Sequence, residues 1–399
     1  MKKSRPQLGS KRAVSSWNPS VAGLFFSLAI FVSGGTQAHE HKHQPVQGQA
    51  LHTSEPERLA LLQAARRALA AGDSATAIAR LDAAAAISHS ADTELLMLQA
   101  QMQSGDYRGA LMFASHTAGA HIHDPEALAL YAWMLALGEQ RVEAKRMLDV
   151  GLQRLPDEPT LSAMRQALPA AEPGAEAESD PLTARIRPGP LAIGADLPAH
   201  AQAVGSGLLL DGGRLALVPL APSQAATQLW LRNGLGHTSA ARLVQTFDNL
   251  GLALLSLDKP LPTAQSTLSR APRDAFAGSP ATSFAYLATP SAQAAWPAMH
   301  RGFLGRISAA NNQQAVGVEL PIAPRGGPVF DQAGRWIGLV LPNQAGEPQL
   351  LPLSVLQAQL GTSFTDVPVL QAGRPIALDQ QYEQALPLTL QLLVESKQP

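Results

Sequence analysis

The chain has 399 residues, a formal net charge of −1, 46% hydrophobic and 15% charged residues, and no cysteine. Such a length predicts two or three domains, and the hydrophobic share is enough for substantial cores. The balanced charge excludes a basic nucleic-acid-binding surface, and the missing cysteines exclude disulfides, so stability rests on burial alone.

Residues 1–38 read as a secretory signal peptide. Lys2, Lys3, Arg5, Lys11 and Arg12 form a basic region ahead of the apolar run 21–32, and Thr36-Gln37-Ala38 puts small residues where a signal peptidase cuts. The run is short for a membrane span, so the expected location is periplasmic or secreted, with an uncleaved anchor as the alternative. Cleavage after Ala38 would begin the mature chain at His39-Glu40-His41-Lys42-His43. With a free amino group and two amides, His41 in third place suits square-planar Cu(II) or Ni(II), so His39, His41 and His43 are the metal candidates. A solvated tail over 39–54 is the plainer reading, and no other cofactor is implied.

Residues 55–169 carry helical periodicity and an internal repeat. Gly72-Asp73, Gly105-Asp106 and Gly138-Glu139 recur at 33-residue intervals, followed by Ala77, Ala110 and Ala144. This spacing resembles tetratricopeptide repeats, whose unit is a helical hairpin with a small residue at the crossing. The resemblance implies a concave face that receives an extended or helical peptide, with Gln99, Gln103, Tyr131 and Trp133 as lining candidates. His116, His121, His123 and Asp124 fall at a helix end and in the following loop, which predicts local capping rather than a metal site. Residues 170–188 form an acidic Pro/Gly linker, expected to stay extended.

From 189 to 364 the pattern becomes β. Short strands are predicted at 207–210, 215–220, 228–232, 241–247 and 252–257, and again at 283–288, 302–307, 315–320, 327–330 and 336–341, separated by turn signals such as Asp211-Gly212-Gly213 and Asn233-Gly234. Three segments in order, opening at Gly205-Ser206-Gly207, Gly251-Leu252-Ala253-Leu254 and Arg325-Gly326-Gly327-Pro328, resemble the trypsin-like serine proteases, most closely the HtrA-like branch. The resemblance implies two antiparallel barrels with a groove between them. It also assigns the three catalytic positions to Leu220, Gly251 and Arg325, none of which can act as general base, orienting acid or nucleophile. Ser206, Asp248, His237 and His300 are the polar residues that could form a relocated triad, and each reads more simply as a turn or surface group.

The expected fold class is therefore multidomain: all-α tetratricopeptide-type hairpins followed by an all-β trypsin-like double barrel, with 365–399 as a C-terminal tail whose apolar stretch 386–394 either packs as an edge strand or stays free. The expected function is an exported, catalytically inactive pseudoprotease and repeat scaffold that binds protein or peptide partners, with Arg325 as a possible groove contact to an anionic group. A residual serine hydrolase and a Cu/Ni-binding protein are the alternatives.

Overall fold

The computed structural model describes residues 47–168, 188–194, 196–263, 266–286, 291–308, 313–318, 326–343, 346–361 and 367–396. The signal-peptide reading, His39, His41, His43, Arg325 and the stretch 169–187 lie outside these residues. Among the described residues, no helix is long and apolar enough to cross a membrane.

The glycine–aspartate repeat has a direct structural cause. Helix α1 (Gln47–Ala70) stops at Gly72, whose φ of +82° suits a residue without Cβ, and the Asp73 carboxylate caps α2 (Ser74–Ile87) by accepting from the Thr76 amide at 2.9 Å. Helix α3 (Ala91–Ser104) ends the same way at Gly105, φ +91°, and Asp106 caps α4 (Tyr107–Ala120) through the Gly109 amide at 2.7 Å. In the third hairpin, α5 (Pro125–Leu137) and α6 (Arg141–Arg154), the left-handed residue shifts by one to Glu139 at φ +63°. That shift accounts for the extra residue before Ala144. Ala77, Ala110 and Ala144 are each fully buried where helices cross. Helix α7 (Pro159–Ala167) closes the stack against α5 and α6. Tyr107 ties two hairpins together, its hydroxyl donating to the Met134 carbonyl at 3.0 Å; a Cβ on Gly138 would lie 2.0 Å from the Tyr107 hydroxyl oxygen.

The β half forms two closed six-stranded barrels. The second runs β10 (Pro328–Phe330), β11 (Trp336–Pro342), β12 (Pro348–Pro352), β9 (Gln314–Val318), β8 (Ala298–Ile307), β7 (Pro280–Ala285) and back to β10. The first closes in the order β5 (His237–Phe247), β4 (Ala226–Asn233), β13 (Thr389–Ser396), β2 (Gln202–Leu210), β3 (Leu215–Pro219) and β6 (Leu252–Leu257), with a two-residue strand β1 (Ile193–Gly194) added in parallel on β5. Each barrel thus has the same path: a first strand beside the second and fourth, then the third, sixth and fifth. In the first barrel, β13 fills the first place from the far end of the chain.

The C-terminal stretch is neither a free tail nor an edge strand. Strand β13 lies antiparallel between β2 and β4, pairing Leu390 with Gly207 and Leu392 with Leu231, and residues 389–394 are all nearly or fully buried. Its alternation explains the placement. Leu390, Leu392 and Val394 enter the barrel interior beside Leu209, Val218, Leu231 and Leu255, while Leu393 packs outward on Ala201, Ala203 and Trp230. Strand β12 carries no strand signal of its own, because Leu351-Pro352-Leu353 at its end leads straight into helix α9 (Leu353–Leu360). Helix α10 (Leu378–Ala385) precedes β13 and packs on α4.

Candidate functional site

Two of the three positions that the resemblance assigns to a catalytic triad lie side by side. Strands β3 and β6 are antiparallel neighbours with Pro219 opposite Leu252, so the residues just beyond their paired ends meet, and the Leu220 amide donates to the Gly251 carbonyl at 2.9 Å. Leu220 opens the short helix α8 (Leu220–Ala225) and is buried with the apolar interior of the first barrel. Gly251 holds φ +66°, ending a 3-10 turn over Asp248–Leu250, and a Cβ built on it meets nothing within 4 Å. The second barrel reaches the same place. A Cβ on Gly326 would lie 2.2 Å from the Ser206 carbonyl and 2.8 Å from Pro219 Cγ, so the residue after Arg325 abuts the one before Leu220.

The polar residues around this junction have structural tasks. Ser206, 1% exposed, accepts the Tyr286 amide on its hydroxyl at 2.7 Å and so links the barrels, and the Tyr286 hydroxyl donates to the Thr389 carbonyl at 3.2 Å. Burial pushes the Tyr286 hydroxyl far above the ordinary tyrosine range, which keeps it a neutral donor. Asp248 is exposed on its turn. His237 sits against Gly72 of the helical array, and burial lowers its pKa.

His300 faces Ser283 across β7 and β8, a serine–histidine juxtaposition that the sequence reading did not single out. Both are 1% exposed. The Arg141 guanidinium, from the array, lies 2.8 Å from His300 Nδ1, and Arg141 also pairs with Glu139 at 3.1 Å. A guanidinium can only donate, so Nδ1 accepts and Nε2 carries the proton. In that tautomer Nε2 is a donor and not a base, and a serine hydroxyl gains no activation from it.

The residues proposed for a peptide face divide. Gln99, Gln103 and Trp133 converge on one extended segment, residues 188–191 of the same chain. Trp133 Nε1 donates to the Pro188 carbonyl at 3.2 Å, Gln99 Nε2 to the Gly189 carbonyl at 3.0 Å, and Gln103 Oε1 accepts the Leu191 amide at 2.9 Å while its Nε2 approaches the Leu191 carbonyl at 3.4 Å. Tyr131 points elsewhere, into an open cleft of about 290 Å³ that it lines with Ile122, Met147, Arg146 and Arg154. Sequence reasoning found three residues of the contact and missed its occupant, since Pro188-Gly189-Pro190 straddles the boundary expected between linker and β region and carries no binding signal of its own. Of the expected linker 170–188 only Pro188 is among the described residues; Gly189 and Pro190, the first residues of the β region, are buried between array and barrels.

The histidine cluster at the end of α4 resolves into local contacts. Asp124 caps α5 through the amides of Glu126 and Ala127. His121 Nε2 lies 3.2 Å from one oxygen of the buried Glu94 carboxylate, and His89 Nδ1 lies 3.0 Å from the other.

No protein-family model matches the sequence, and no curated protein does. Among solved structures, the chain is similar to the serine endoprotease from Yersinia pestis, with 15% identity and a TM-score of 0.33, over 41% of this chain and 58% of that one. It is also similar to the apo MamO protease domain from Magnetospirillum magneticum, with 16% identity and a TM-score of 0.30, over 40% of this chain and 95% of that one. The chain therefore spans little more than half the length of the first. At such scores the fold rests on the strand order itself: the protein is an all-α array of helical hairpins followed by an all-β double barrel.

Proposed function

We propose that this is an exported, non-catalytic interaction protein, in which a pseudoprotease double barrel is joined to a tetratricopeptide-type scaffold and binds protein or peptide partners in the envelope. The observation that carries the reading is the hydrogen bond from the Leu220 amide to the Gly251 carbonyl. It supports the register of the resemblance by bringing two assigned positions together, and the side chains there are an alkyl group and a hydrogen atom. Proton abstraction from a nucleophile needs an imidazole at the first position and a carboxylate behind it. The protonated Nε2 inferred for His300 argues against the rival hydrolase reading.

The reading is tested with the purified mature chain on casein and on a panel of fluorogenic peptide esters. Turnover should not exceed buffer, and the single variant Arg325→Ser should gain none, because a serine without base or orienting acid stays a neutral alcohol. Turnover by the wild type that disappears on replacing one serine would overturn the proposal.

A further inference from the structure

The contact made by residues 188–191 has the features of a bound ligand. Its hydrogen bonds to Gln99, Gln103 and Trp133 all go to main-chain groups, and Gln103, 5% exposed, reads both the amide and the carbonyl of Leu191. The Leu191 side chain packs on the apolar core of the first two hairpins. Pro188 and Pro190 favour an extended conformation with no internal hydrogen bonds, so the carbonyls are left for a partner. The glycine between them is required by space: a Cβ on Gly189 would lie 2.0 Å from the Ala294 carbonyl oxygen of the facing barrel segment.

We propose that this face of the helical array is a main-chain-reading site for extended Pro-Gly-Pro-apolar segments, that residues 188–191 are its built-in occupant, and that a partner protein's segment of the same chemistry exchanges with it. The inference rests on reading the array as a binding surface and adds the class of partner. It also supplies regulation. A covalently tethered occupant competes at high effective concentration, so a free segment binds only to the fraction of molecules whose own segment has left.

The test uses the full mature chain and a fluorescein-labelled peptide with the sequence of residues 187–193, followed by anisotropy. A variant carrying Pro188→Gly and Pro190→Gly, whose own segment is less pre-organised, should bind the peptide about tenfold more tightly than the wild type. Adding Gln103→Ala should remove that gain, and so should a peptide with leucine in place of its glycine. Equal binding by loosened and parent chains, or binding indifferent to Gln103→Ala, would overturn the proposal. Should the variant misfold, amide exchange on the wild type decides: saturating peptide should speed exchange at the Leu191 amide and leave α3 protected, and an unchanged Leu191 rate contradicts exchange. Failure here would leave the result on casein untouched, so the two readings fail separately.

Discussion

Glu94 holds the second hairpin of the array through one buried carboxylate, 2% exposed. Burial works against its ionisation, but the hydrogen bond with His89 Nδ1 at 3.0 Å and the polar neighbours Thr117 and His121, the latter's Nε2 at 3.2 Å, outweigh that and keep its pKa below the ordinary 4.5. A depressed carboxyl pKa stabilises the fold above the ordinary value and loses that contribution as pH falls through the lowered one. The thermal midpoint of the wild type should therefore drop on acidification below about pH 4.5, and Glu94→Gln should flatten that part of the profile. Parallel profiles for the two would show that the carboxylate has no such role. Arg232 is the opposite kind of residue. It is 2% exposed and held by neutral acceptors, Thr238 Oγ1, the Ala292 carbonyl and Gln391 Oε1, and burial pushes its pKa down to about 10. Truncating it orphans those acceptors and empties the space, so Arg232→Ala should cost about 3 kcal/mol in denaturant unfolding.

Strand β13 decides whether the first barrel closes. Burying Leu390, Leu392, Leu393 and Val394 contributes about 1.5–3 kcal/mol each, a sum comparable to the whole stability of an ordinary domain. Leu392→Ala should lower stability by about 2–5 kcal/mol, and removal of residues 387–399 should leave an open-edged barrel that aggregates on expression. A truncated chain that stays soluble with native circular dichroism would refute this dependence. The same strand marks the limit of what the sequence made legible. Helix ends could be read from Gly72-Asp73 and Gly105-Asp106, because capping is local and each signal lies within a few residues of its effect. Five strands of each barrel were also readable from alternation and turn residues. The sixth was harder: β12 is bounded by prolines that look like a helix start, and the apolar run 386–394 suits a strand, but its central pairing with strands far upstream is a match that alternation alone cannot specify. Gln99, Gln103 and Trp133 stood out as polar or aromatic groups on a helical face, but nothing near them announced that their ligand was the chain's own 188–191.

At the scale of the molecule, the C-terminal residues fasten array and barrels together. Tyr382 of α10 stacks on Tyr107 of α4 at 4.2 Å between ring centroids, meets Phe284 edge-on at 5.9 Å, and donates its hydroxyl to the Pro297 carbonyl at 2.7 Å. Arg108 pairs with Asp379, and its amide donates to Glu383 at 2.9 Å. With β13 then completing the first barrel, the helical array and both barrels should unfold in one calorimetric transition, which Tyr382→Ala should shift downward as a whole; two separate transitions in the wild type would contradict the coupling. On the proposed reading this assembly binds without catalysing. Reaction of the purified mature chain with a broad fluorophosphonate probe, read by intact mass beside an active trypsin-like control, tests it most directly. No adduct is expected on the wild type while the control is fully labelled. A stoichiometric adduct on any serine would mean that a base activates it, and the non-catalytic reading would be wrong.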